Sequence, residues 1–88
     1  MEKIENFACR ICGLIQPEEP WGEDGENPNF YICDCCGVEF GYEDYTKASV
    51  KAYRKKWLEA GANWWALKEK PKNWDIEKQL KNIPANYK

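Results

Sequence analysis

Four cysteines carry the chemistry of this sequence. Cys9 and Cys12 form a Cys-x2-Cys unit followed by Gly13, and twenty residues later Cys33 and Cys36 form a second one followed by Gly37. Two residues between cysteines let both sulfurs reach one ion while turn amides point at them. The glycine after each pair tolerates the tight or left-handed backbone that follows. Two such knuckles supply four soft, anionic ligands in a tetrahedron, the closed coordination that structural zinc prefers. Cys9, Cys12, Cys33 and Cys36 are therefore the predicted metal ligands, with Zn²⁺ as the expected cofactor and iron as the alternative, because four thiolates also hold a single iron. A set filled by cysteine leaves no exchangeable water site, which argues against catalytic zinc. The fifth cysteine, Cys35, sits inside the second pair and cannot ligate together with both neighbours without strain. It is either a spectator thiol or a redox-sensitive or substitute ligand.

The rest of the composition narrows the choice. The chain has 88 residues, no histidine, 5 Trp and a formal net charge of −2. The missing histidine rules out Ser–His, Cys–His and His-ligated sites. Asp24, Glu26 and Asp34 lie in acidic loops where carboxylates are solvated, and at most a hard cation would bind there weakly. No catalytic residue is expected, and the chain reads as a non-enzyme. It carries no stretch of the length needed to span a bilayer and no apolar signal-peptide run, so a cytoplasmic location is expected. There cysteines stay reduced, and an odd number of them argues against a disulfide frame.

The elements that must position these sulfurs can be read in outline. Phe7 to Cys9 and Phe30 to Ile32 are short strand candidates leading into the two cysteine turns, with Leu14–Ile15 and Val38–Phe40 as return strands. Between them, residues 16–29 are rich in proline, glycine and acids, the composition of a loop. The second half reads as helix. Asp44, Thr46 and Ser49 are N-cap candidates. Val50, Tyr53, Trp57, Ala60 and Trp64 recur at spacings of three and four, which places them on one face. Gly61 either ends that helix or is passed over on the way to Trp64 and Trp65. Pro71 enforces a break. Asp75 caps a short final helix with Ile76, Leu80 and Ile83 on one stripe, and Pro84 stops it.

The expected fold class is thus small α+β: a zinc ribbon of short antiparallel strands over residues 1–45, then a helical extension over residues 46–88 packed on it as part of one structural unit. The first half holds few apolar side chains, so the metal should supply much of its folding free energy.

Charge divides the same way. Residues 1–45 carry 2 basic and 11 acidic residues, and residues 46–88 carry 11 basic and 4 acidic ones. Either the two halves face each other or the basic half meets an anion. Lys47, Lys51, Arg54, Lys55, Lys56, Lys68, Lys70 and Lys72 lie near aromatics, a pattern that can neutralise phosphates and stack bases. The second half holds only one Arg, the usual base reader, which weakens the nucleic-acid reading. Trp64 and Trp65 are adjacent and cannot both face one side of a helix, so an exposed one would mark a protein-binding hot spot.

Two resemblances follow from these residues. The two knuckles with nearby aromatics resemble a rubredoxin-type ribbon, although Asp34 stands where rubredoxins usually have proline. The wider pattern Tyr31-Ile32-Cys33-x-Cys35-Cys36-Gly37-x-Glu39-Phe40-Gly41-Tyr42, with Tyr53-Arg54, Trp57, Gly61, Trp64-Trp65, Asn73-Trp74 and Gln79-Leu80, resembles small uncharacterised bacterial cysteine-rich proteins with a C-P-C-C core. That resemblance implies a metal ribbon and no activity, and it makes Cys35 a family feature. The function expected from sequence is a zinc-stabilised interaction module that binds another protein. The alternatives are a rubredoxin-like iron electron carrier and nucleic-acid binding through the basic half. No membrane partner is expected.

Overall fold

The computed structural model describes residues 6–88. Its regular elements are few: helix α1 (Lys47–Glu59), helix α2 (Ile76–Leu80), and single 3₁₀ turns at Leu67–Glu69 and Ala85–Tyr87. No strand occurs among the described residues, and the expected α+β zinc ribbon is corrected accordingly. What stands in its place is two isolated antiparallel bridges, Ala8 with Ile15 and Ile32 with Glu39. The physical reason lies at the arm ends. Pro17, which has no amide to give a ladder, follows the first return arm. Phe30 sits at φ 62° and Gly41 at φ 94°, so the second pair of arms is bent out of extended conformation on both sides. Arms this short close a turn and go no further.

The two cysteine turns repeat one hydrogen-bond pattern. In the first, the amides of Cys9, Gly13 and Gln16 donate to the carbonyls of Leu14, Cys9 and Phe7; in the second, those of Cys33, Gly37 and Phe40 donate to Val38, Cys33 and Tyr31. Gly13 (φ 84°) and Gly37 (φ 78°) take the same left-handed place in each.

Helix α1 is capped by Thr46, whose hydroxyl accepts the Ser49 amide while the Ser49 side chain accepts the Thr46 amide in return. The helix has 13 residues and ends well before Trp64, so the long helix expected from the aromatic spacing is also corrected. Its terminus is a Schellman turn: the Gly61 amide donates to Leu58 and the Ala62 amide to Trp57, with Gly61 at φ 111°. Ala62 follows it with φ 52°, and these two left-handed residues reverse the chain. Of the expected apolar face, Val50 and Trp57 are buried and Tyr53 is half-buried, whereas Ala60 lies exposed. Asp75 caps α2 by accepting the amides of Glu77 and Lys78, as expected from sequence, but α2 has five residues and Ile83 is buried beyond its end.

The core is built around sulfur. All five cysteines, Ile11, Val38, Phe40, Val50, Trp57 and Trp64 form one buried cluster, with Leu14, Tyr53, Trp74, Ile76, Leu80 and Tyr87 packed against it. Phe30 and Ile32, the ends of the second strand candidate, face solvent. Among the described residues, no helix is long and apolar enough to cross a membrane.

Candidate metal centre

Cys9, Cys12, Cys33 and Cys36 converge. Their Sγ atoms all lie within 4.8 Å of one another, and all four residues are buried. Cys9 Sγ is 3.6 Å from Cys36 Sγ, and Cys12 Sγ is 3.6 Å from Cys33 Sγ, so each turn contributes one sulfur to each close pair. Four sulfurs placed about 2.3 Å from a zinc ion would stand about 3.8 Å apart along the edges of a tetrahedron. The arrangement therefore fits one four-coordinate ion in both donor chemistry and spacing.

Electrostatics gives the same result. Burial pushes the Cys12 and Cys36 thiols well up. The neighbouring Cys12 side chain pulls the Cys33 thiol below the ordinary thiol range. Four thiolates in a dry site require a cation among them, because uncompensated buried charge is expensive. Arg54 is half-buried and feels the sulfurs: burial lowers its pKa, while Cys9, Cys12 and Cys36 oppose that shift.

Each turn is held in place by the second half of the chain. Arg54, at the middle of α1, donates from Nε to the Ile11 carbonyl (2.7 Å) and from Nη2 to the Arg10 and Tyr87 carbonyls. One residue earlier, Tyr53 donates its hydroxyl to the Cys36 carbonyl at 2.9 Å. Burial raises the Tyr53 phenol, pushed up to about 12. Gln79 of α2 donates through Nε2 to the Cys12 carbonyl (3.1 Å) and to Cys35 Sγ (3.3 Å), and Trp74 fixes that amide by donating to its Oε1 at 2.7 Å. The Trp65 and Ala66 amides donate to the Cys35 and Asp34 carbonyls, which stiffens the second turn where proline is absent. Gln16 Nε2 lies 3.6 Å from Cys33 Sγ.

The structure brings the four predicted ligands together and leaves Cys35 outside their cluster, buried and turned toward Gln79. It separates the two adjacent tryptophans. Trp64 is 6% exposed and packs edge-on to Trp74, while Trp65 is 66% exposed and lies over Gly37. The acidic loop turns inward on itself. Asp24 accepts the Glu26 amide and the Asn27 side chain, and no second group of metal-ligating side chains occurs among the described residues.

Sequence reasoning missed Arg10, Arg54 and Gln79 as positioning residues. Arg10 stacks between Trp21 (3.9 Å) and Tyr87 (4.3 Å) and donates to the Asp44 and Gly25 carbonyls. Asp44, buried, accepts from the Trp21 indole and the Gly41 amide. The signal for Arg54 was its solitude. It is the one arginine in a half otherwise furnished with lysine, and a planar fork of donors is the better tool for several carbonyls at once.

The chain is thus cysteine-rich, with four buried thiols arranged so that one metal ion can be held among them. It is similar to two small proteins of Bacillus subtilis (strain 168). The uncharacterized protein YoaQ is 39% identical over 72 residues and the uncharacterized protein YozI is 38% identical over 73, each match covering 62% of this chain and 59% of the relative. The chain therefore spans less than two thirds of the length of the curated relatives it matches. No family model matches the sequence. No solved structure matches it either.

Proposed function

We propose that this chain is a zinc-stabilised interaction module, in which Cys9, Cys12, Cys33 and Cys36 hold one Zn²⁺ as a structural ion and an exposed face beside the second turn meets another protein. The observation that carries this reading is the convergence of four buried sulfurs from two separate turns. A tetrahedral ion with four thiolates is coordinatively full, so its contribution is to folding. Bound zinc in small thiolate sites contributes about 10–16 kcal/mol of apparent free energy at neutral pH.

The partner face is supported by Trp65 and Leu67, which are 66% and 73% exposed. They are tied to the metal-bearing turn through the Trp65 amide and the Cys35 carbonyl. A solvent-facing tryptophan fixed through its backbone is the kind of anchor that dominates protein interfaces.

Elemental analysis and visible absorbance of the chain purified without added metal test the metal. The expected result is one zinc per chain and a colourless solution. An iron–thiolate band, or no bound metal, would overturn it. Affinity capture with Trp65→Ala as the comparison tests the face, with the expected result that captured protein is lost while zinc content is kept.

A further inference from the structure

We propose that the ion is loaded and surrendered through a single cleft beside Cys36, and that Cys36 is the first sulfur to leave it. This inference rests on the metal-holding reading above and concerns how the site exchanges its ion.

Three of the four ligands, Cys9, Cys12 and Cys33, have no exposed surface, and Cys36 has 6%. Cys36 also lines an open cleft of about 470 Å³ against α1, together with Glu43, Ala52, Tyr53, Lys56 and Trp57. The other approaches are covered. Arg54 and Gln79 lie across the first turn through its carbonyls, Gln16 covers Cys33, and the Trp65 ring lies on Gly37. Reaching Cys9 or Cys12 would require α1 or α2 to lift, whereas an incoming ligand reaches the Cys36 side through existing space.

The cleft suits that traffic. Its wall is largely aromatic and aliphatic, from Tyr53, Trp57 and Ala52, and it carries one carboxylate, Glu43, and one ammonium, Lys56. The carboxylate attracts a hydrated cation, and the ammonium attracts an anionic competing ligand. Exchange is a ligand substitution without electron transfer. A donor atom of the incoming ligand bonds to the metal as the metal–sulfur bond to Cys36 breaks, and the departing thiolate then takes a proton from water. The hydrogen bond from Tyr53 to the Cys36 carbonyl holds the main chain in place while the side chain leaves.

The test uses the full chain loaded with zinc, a large excess of an aminocarboxylate chelator, and, separately, limiting iodoacetamide followed by mass mapping. Ala52→Phe narrows the cleft at an exposed helix position. It should slow zinc transfer several-fold while leaving zinc stoichiometry and the unfolding midpoint unchanged. In the unsubstituted chain, the first alkylated cysteine should be Cys36, an outcome that does not depend on any variant folding. Unchanged transfer in folded Ala52→Phe, or alkylation of Cys9, Cys12 or Cys33 before Cys36, would each overturn the port while leaving zinc binding intact. A chain that takes up no zinc would overturn the metal-holding reading and the port with it.

Discussion

The turn at Cys9–Gly13 and the turn at Cys33–Gly37 make the same three backbone hydrogen bonds, yet the rest of the chain treats them differently. The first is clamped at main-chain level. Arg54 holds the Arg10 and Ile11 carbonyls, Gln79 holds the Cys12 carbonyl, and a Cβ on Gly13 would stand 2.1 Å from the Gln79 carbonyl oxygen. The second is held by the Trp65 and Ala66 amides on its Cys35 and Asp34 carbonyls and is overlaid by an exposed side chain. Tyr53 reaches one carbonyl, Trp65 lies over Gly37 at 2.9 Å from where a Cβ would be, and the flanking Phe30 and Ile32 face solvent. A backbone motif repeated twice supplies the four clustered sulfurs, while the packing around it makes one turn an anchor and the other a surface.

Metal removal should abolish the distinction. Both turns donate to both close sulfur pairs, so loss of the ion withdraws about 10–16 kcal/mol from the two together. Hydrogen exchange after verified chelation should show protection lost alike at Cys9–Gly13 and Cys33–Gly37. Protection retained at either turn would show that packing alone sustains it.

Next in size are the two glycines. Gly13→Ala drives a methyl into the backbone of α2 in addition to its left-handed strain, and should cost about 2–4 kcal/mol. Gly37→Ala meets an exposed ring that can move aside and should cost about 1–2 kcal/mol. Chemical denaturation of the two zinc-loaded variants measures the gap, and equal losses would remove the anchor-and-surface contrast.

The two neighbours on α1 sharpen it further, since one serves each turn. Arg54→Met leaves partly buried carbonyls of the first turn without a donor and should cost about 1–3 kcal/mol. Tyr53→Phe removes one bond to the second turn and should cost about 0.5–1.5 kcal/mol.

The smallest effect is a titration. Burial favours the protonated Tyr53 phenol, whose pKa rises from 10.0 to about 12. A raised pKa means that its contribution to stability is complete below the ordinary tyrosine range and is lost as pH climbs through that range toward the folded value. Ultraviolet difference titration should show one late phase, and Tyr53→Phe should lack it.

The sulfur cluster was legible because its determinants are local: a two-residue gap and a following glycine, stated twice. The caps at Thr46 and Asp75 were legible for the same reason. Strands failed as an inference because pairing depends on what the arms do beyond the turn, and Phe30 adopts a left-handed conformation that no aromatic, strand-favouring composition announces. The long helix failed because the aromatic spacing continues through Gly61 to Trp64, although the chain reverses there; Trp64 reaches the core by returning from the other side. Arg54 read as a cation for phosphate because sequence shows its charge and hides the carbonyls it faces. Gln79 carried almost no signal, since its role depends on a partner 67 residues away.

That last separation bears on how the molecule is made. Synthesis runs from the amino end, so both cysteine turns are complete before Gln79 is added. A growing chain passes through an interval in which all four thiols exist while the wall formed by α2 does not. An ion bound at that stage would meet an unfinished shelter, more open than the site in the finished protein.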